Sequence, residues 1–286
     1  MDGNEVLALE RTALEVRKDV VRMTGLSRAP SLGPSLSVVD IMTVLYFHTL
    51  SIRTEDPKWP ERDRFVLSKS NACPALYAIL ARRGFFDREE LWSFRRLGAM
   101  LQGTLDPKRT PGIDAPGGGP GTGLGIANGI ALACRMETVP SRVFCLLGDG
   151  ELNEGSIWES VLAASLFRLK NLTAIVEVNG AGTGAPQGAE DYKEMAGARF
   201  EAFGWRVLRT DGHCVRSLAE AFLEIAGVGE GPSVLLANTQ WGKGVASAEK
   251  GRGRSMVPPS RERVENALLE LEKAGKSLEE GSPDDR

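Results

Sequence analysis

RVFCLLGDGELNEGSIWES, residues 142–160, sets a run of apolar residues against a cluster of acids. Val143 to Leu147 contains no polar side chain but a cysteine thiol and has the length of a strand buried on both faces. The run stops at Gly148-Asp149-Gly150, and Glu151 and Glu154 follow within one turn. A carboxylate between two glycines at the end of a buried strand suits a cation that carries phosphates. The carboxylate is a hard oxygen ligand, and the glycines let backbone N–H groups approach phosphate oxygens. Gly-Asp-Gly alone is also what an ordinary turn looks like. A second apolar run, LTAIVEV (172–178), tips the balance, because it delivers Asn179 followed by Gly180, Ala181 and Gly182. A right-handed crossover makes the two strands parallel neighbours, and ligands of such sheets bind at the carboxyl ends of the strands. Asp149 and Asn179 are therefore expected to meet, and a carboxylate, an amide oxygen and a nearby backbone carbonyl together suit Mg²⁺.

Outward from this pair, strands alternate with helices. Helical spacing covers 5–25, 38–50, 74–85, 88–98, 125–137, 154–169, 215–227 and about 259–273, and strands are expected at 64–68, 142–148, from 172, around 205–212 and at 232–241. The pattern implies an α/β fold, a mostly parallel sheet with helices on both faces. Residues 103–125, GTLDPKRTPGIDAPGGGPGTGLG, form a long segment rich in Gly and Pro, the composition of a binding loop or of disorder. No repeat or linker divides the chain, so residues 1–275 read as one domain and 276–286 as a charged flexible tail.

Composition narrows the function classes. The 286 residues are 42% hydrophobic and 26% charged, as expected of a globular protein with a substantial core. A net charge of −3 gives no footprint for nucleic acid or anionic membrane. Cys73, Cys134, Cys145 and Cys214 form no CxxC, and His48 and His213 are the only histidines, so no zinc pattern exists. Reduced thiols are expected. The opening segment has no apolar core of a signal peptide, and no run reaches the roughly 18 apolar residues of a membrane helix. A cytoplasmic protein is the expectation.

Several further stretches carry a family likeness. GDGELNEGSIWESVLAAS (148–165), SLSVVDIMTVLYF (35–47), WPERDRFVLSK (59–69), PALYAIL (74–80), TPGID (110–114), GLGIANGIALA (123–133) and FGWRVLRTDGH (203–213) closely resemble runs of transketolases, in order. The chain looks like the N-terminal domain of that family standing alone, a three-layer thiamine diphosphate-binding fold. The resemblance implies thiamine diphosphate and Mg²⁺ as cofactors, with Asp149, Asn179 and the carbonyl of Ala181 as metal ligands. Gly118, Gly119, Pro120, Gly150, Glu151 and Asn71 would line the cofactor. Glu154 would join an acidic network linking two cofactor sites across a dimer interface, although an acid at a helix start is also what the helix dipole favours. The missing half of the site implies a separate pyrimidine-binding C-terminal subunit, in a heterotetramer of two chains of each kind.

The sequence departs from the family where sugars are handled. The family pattern GHPGGSLS reads PSLGPSLS, placing Ser31 where a histidine is expected; LSKGH reads LSKSN, placing Asn71; LQGH reads LQGT, placing Thr104. A further His-Gly is replaced in KGRGRSMVPPS (250–260), and the lysine of a KGKG run is Trp241. Ser, Asn and Thr hydrogen-bond but do not titrate near neutrality, and each lost general acid–base group typically costs on the order of 10²- to 10⁴-fold. The implied function is two-carbon transfer to an aldehyde or ketone, with an altered donor such as pyruvate, which loses CO₂ on the cofactor without a base to deprotonate a hydroxyl. An ordinary split transketolase using ketose phosphates and a non-catalytic cofactor-binding subunit are the alternatives; an alpha subunit of a 2-oxo-acid dehydrogenase shares the metal motif but not the flanking runs. His213 reads as structural, and His48 as a packed or surface residue.

Overall fold

The computed structural model describes residues 1–180, 189–227, 229–251 and 257–280, with 189–193 described by backbone alone. Its centre is a five-stranded sheet, wholly parallel, in the order β1 (Arg64–Leu67), β2 (Val143–Gly148), β3 (Leu172–Val178), β5 (Ser233–Asn238), β4 (Arg206–Asp211). β2 and β3 are buried along their whole length, and alternate residues feed opposite cores. Phe144, Leu146, Ile175 and Leu235 face α3 (Val39–Val44), α4 (Cys73–Arg83) and α8 (Val215–Ala226), with α1 (Gly3–Ser27) packed behind them. Val143, Cys145, Leu147, Ala174, Val176 and Leu236 face α5 (Thr122–Met136), α6 (Gly155–Leu166) and α7 (Ala189–Ala202). Helices on both faces of a parallel sheet make the three layers expected.

Local chemistry sets the boundaries. Asp2 and Glu5 form a reciprocal capping box that starts α1, and Arg28 closes it in a left-handed conformation. The expected helix over 38–50 is interrupted: α2 (Leu32–Leu36) precedes α3, and residues 45–49 widen into a π turn. Of the expected helix over 88–98, only a 3₁₀ segment, Arg88–Ser93, forms. α7 is an addition to the sequence-based assignment. After α9 (Ala246–Glu249), α10 (Arg261–Glu280) runs past residue 275, so the first five residues assigned to a tail are helical. Residues 281–286 lie outside the described residues.

Cys73, Cys134 and Cys145 are buried free thiols and Cys214 is an exposed one. Burial pushes the Cys73 thiol up to about 12, which keeps it protonated and unreactive. No helix among the described residues is long and apolar enough to cross a membrane.

Candidate functional site

The register of β2 and β3 places Gly148 beside Glu177, so both strands end level with each other. Just beyond, the Asp149 Oδ2 atom accepts hydrogen bonds from the backbone N–H groups of Asn179 (3.0 Å) and Gly180 (2.6 Å). The two residues singled out from the sequence thus meet across adjacent strand ends. Both are buried. Burial raises the pKa of Asp149, the neighbouring Glu177 carboxylate adds to the rise, and the two backbone donors and Lys69 oppose it.

A cleft of about 470 Å³ opens over this junction. Ser68, Lys69, Ser70 and Asn71 line it from the turn after β1; Gly118 and Pro120 from the glycine loop; Gly148 to Glu151 and Glu154 from β2 and the turn behind it. Glu177 and Asn179 lie on the floor with Trp241. Glu151 anchors the rim: its carboxylate accepts from the N–H groups of Gly148 (2.8 Å) and Gly121 (3.0 Å) and from the Ser68 hydroxyl (2.5 Å). One buried side chain thereby ties β1, β2 and the glycine loop together. Gly121 starts α5 at φ +81°, and a Cβ there would lie 2.6 Å from Ser156 Oγ and 2.7 Å from Glu154 Cβ, so only glycine lets the loop close on α6. Glu154, exposed at the start of α6, makes no side-chain cap.

The other residues named from sequence divide between the cleft and places away from it. Gly119 is exposed beside Gly118 and accepts from Thr122 through its carbonyl, but is not part of the cleft wall. Thr104 is exposed in a separate depression with Leu105, Asp106 and Gly117. Ser31 precedes α2, whose Gly33 abuts the Trp241 indole, and is not part of the cleft lining. Asn71 lines the cleft and is exposed. Ala181 lies outside the described residues. No histidine lines the cleft among the described residues. His213 accepts from the N–H of Gln240 at Nε2 (2.7 Å), so its Nδ1 carries the proton that meets Asp40 Oδ2 (2.7 Å); it is a structural imidazole, as expected. Lys69 and Glu177 carry no sequence signal that pairs them in this cleft, because they lie 108 residues apart.

The donor set fits a divalent cation bearing phosphates. Asp149, Glu151, Glu154 and Glu177 put four carboxylates on the cleft wall against the single ammonium of Lys69. An anionic diphosphate entering alone would meet net negative charge, and a cation at Asp149 and Asn179 reverses the sign there. Among the described residues no three His, Cys, Asp or Glu side chains converge into a self-sufficient cage. A cation held here would be shared with the phosphates, the usual arrangement for Mg²⁺.

Comparison with known proteins agrees with the geometry. A family model, the transketolase thiamine diphosphate binding domain, matches residues 19–259. Human transketolase is 35% identical over 271 residues, which cover 94% of this chain and 43% of that protein. The 6-deoxy-6-sulfo-D-fructose transketolase subunit SqwG of Clostridium sp. (strain MSTE9) is 36% identical over 273 residues, 96% of this chain and 99% of that one. Among solved structures, a transketolase from Campylobacter jejuni subsp. jejuni aligns with a TM-score of 0.82 at 28% identity, over 92% of this chain and 42% of that one. The Leishmania mexicana enzyme shares the fold at a TM-score of 0.77 and 21% identity. The chain therefore spans less than half the length of the full transketolases it matches.

Proposed function

Since the chain belongs to the transketolase thiamine diphosphate-binding family, we propose that it is the diphosphate-gripping subunit of an enzyme that transfers a two-carbon unit to an aldehyde or ketone. The observation that carries this reading is the meeting of Asp149 with Asn179 and Gly180 at the floor of a cleft rich in carboxylates. Asp149 and Asn179 hold Mg²⁺. Gly150, Gly118 and Pro120 flank the phosphates, and Glu151 keeps the glycine loop and the end of β2 at a fixed spacing. Thiamine diphosphate, when bound, supplies the carbon nucleophile and electron sink for breaking and making the carbon–carbon bond. Asn71 offers hydrogen bonds to the reacting end but no titratable proton.

A separate pyrimidine-binding subunit completes the site, and two chains of each kind form the assembly. The near end-to-end match with a transketolase subunit supports an interface between two kinds of chain. Glu154, exposed at the start of α6, links the cofactor sites across that interface.

Among the described residues no imidazole stands on the cleft wall, and this supports a 2-oxo acid donor such as pyruvate, for which release of CO₂ replaces deprotonation of a hydroxyl. The relative that acts on 6-deoxy-6-sulfo-D-fructose favours a second reading, a ketose donor modified at its far end, with the partner subunit supplying the proton chemistry. The test is to assay the chain, copurified with its partner, Mg²⁺ and thiamine diphosphate, with pyruvate, a ketose phosphate and a 6-sulfo ketose, each beside an aldehyde acceptor. Pyruvate consumed with CO₂ release while both ketoses persist supports the first reading. Consumption of a ketose alone replaces it with the second, and cofactor binding without turnover of any donor overturns both in favour of a non-catalytic subunit.

A further inference from the structure

Glu177 sits two residues before Asn179 at the end of β3, on the same face of the strand, and is 1% exposed. Its two oxygens have separate partners. Oε2 pairs with Lys69, whose ammonium also donates to the Pro34 carbonyl (3.1 Å) and the Ser37 hydroxyl (3.4 Å), fixing the pair against α2. Oε1 accepts from the Asn179 side-chain amide (2.7 Å) and from the Thr239 hydroxyl (3.1 Å).

The amide of Asn179 has two orientations of nearly equal shape, related by a half-turn that exchanges oxygen and nitrogen. Only one offers the oxygen a cation needs. A carboxylate paired with an ammonium accepts hydrogen bonds and donates none, so the atom facing Glu177 is the nitrogen. The oxygen occupies the other branch. A buried ion pair adds little net stability, because desolvation of both charges offsets their attraction. The pair's value lies instead in direction. Resting on the assignment of Asn179 as a cation ligand, we infer that Glu177, held by Lys69, is the positioning residue that turns the Asn179 amide oxygen toward the cation beside Asp149. Lys69 fixes which way Glu177 points, Glu177 fixes the amide, and the amide delivers the ligand. The chain of contacts joins α2, the turn after β1, β3 and the segment after β5 to one ligand atom.

Glu177→Gln tests this. The Lys69 ammonium takes the new amide's oxygen, so its NH₂ group faces Asn179 and favours the reversed orientation. The readout is Mg²⁺ titrated at saturating thiamine diphosphate into the chain assembled with its partner, followed by cofactor binding rather than turnover. The Mg²⁺ concentration at half-saturation rises by roughly 10- to 100-fold in Glu177→Gln. Asn179→Asp alone, beside an intact Glu177, sets two carboxylates against each other and raises it roughly 10-fold. The double variant returns to within about 3-fold of the parent, since a carboxylate presents an oxygen whichever way it turns; a purely structural role for Glu177 gives no such rescue. Because the rescue compares Asn179→Asp with the double variant as well, instability of Glu177→Gln alone does not block it. A parent protein that binds the cofactor without regard to Mg²⁺ overturns the cation site and this inference together. Cation dependence in the parent, with Glu177→Gln within twofold of it or with no rescue in the double variant, overturns the positioning role alone.

Discussion

Asp149 and Asp40 are both buried aspartates, and their surroundings push their protons in opposite directions. Burial works against the charged form of each. At Asp40, Arg17 forms a bidentate pair and His213 donates from Nδ1, and these overcome burial and hold the carboxyl down at about 2. At Asp149 the Glu177 carboxylate adds to the effect of burial, and two backbone N–H groups and Lys69 do not overcome it, so the proton is held more tightly than usual. One carboxylate is electrostatically complete within the fold, and the other is the one proposed to receive a cation. The first locks α1, α3 and the turn after β4 together; the second opens onto a cleft. Depth alone distinguishes nothing, and the company of the carboxylate separates scaffold from site.

The largest effects come from breaking the comparison at its complete end. Asp40→Asn leaves the Arg17 guanidinium buried without its anion and costs roughly 3–5 kcal/mol of folding stability, measured by denaturant unfolding. Its Mg²⁺ requirement for cofactor binding, in conditions where it is folded, stays that of the parent. Asp149→Asn does the reverse: cation-dependent cofactor binding falls by at least ~100-fold, while the melting temperature of the cofactor-free protein holds or rises, because a buried charge is removed. A variant of either kind that moved both quantities together would erase the distinction.

The pH response sharpens it. Asp40 is lowered from 3.8 to about 2, so it contributes stability above pH ~4 that is lost as the pH falls toward 2, about 2 kcal/mol in all. Asp149 is raised, so its charge costs stability above its folded-state pKa, and the cofactor-free protein recovers that cost as the pH falls through it. Thermal stabilisation by Mg²⁺ with thiamine diphosphate therefore fades as the pH falls and Asp149 takes up its proton, a loss that begins above the ordinary aspartate value of 3.8. Melting curves across pH, with and without Mg²⁺, separate the two trends. The smallest effect is at the rim: Gly121→Ala costs about 1–3 kcal/mol, through strain at positive φ and crowding of Glu154 and Ser156, and shifts the glycine loop enough to weaken cofactor binding.

Much of this was legible in the sequence because it is written locally. The apolar runs that end at Gly148 and Val178 fix two strands, and the residues after the two ends, Asp149 and Asn179, meet as the pattern implies. What escaped was either weakly periodic or long-range. α7, AEDYKEMAGARFEA, has no regular apolar stripe to announce it, although Ala196 and Phe200 complete the core beside α6. The helical pattern over 38–50 hides a π turn, because apolar residues continue through the irregularity. Lys69, Glu177 and Thr239 become a network only when the sheet gathers the ends of β1, β3 and β5 at one edge. Trp241 reads in the sequence as a lost lysine; in the fold it is a wall of the cleft whose indole lies 5.5 Å from the Lys69 ammonium and against Gly33. The histidine positions divide in the same way, with Asn71 on the cleft and Ser31 and Thr104 away from its wall.

The measurement that tests the central claim most directly is calorimetric titration of thiamine diphosphate into the chain assembled with its partner, once in excess chelator and once in Mg²⁺. The account predicts tight binding in Mg²⁺ and a loss of at least ~100-fold in chelator, since four carboxylates face the diphosphate when no cation stands between them. Equal affinity in the two conditions would contradict it, and would mean that the meeting of Asp149 and Asn179 serves the fold rather than the cofactor.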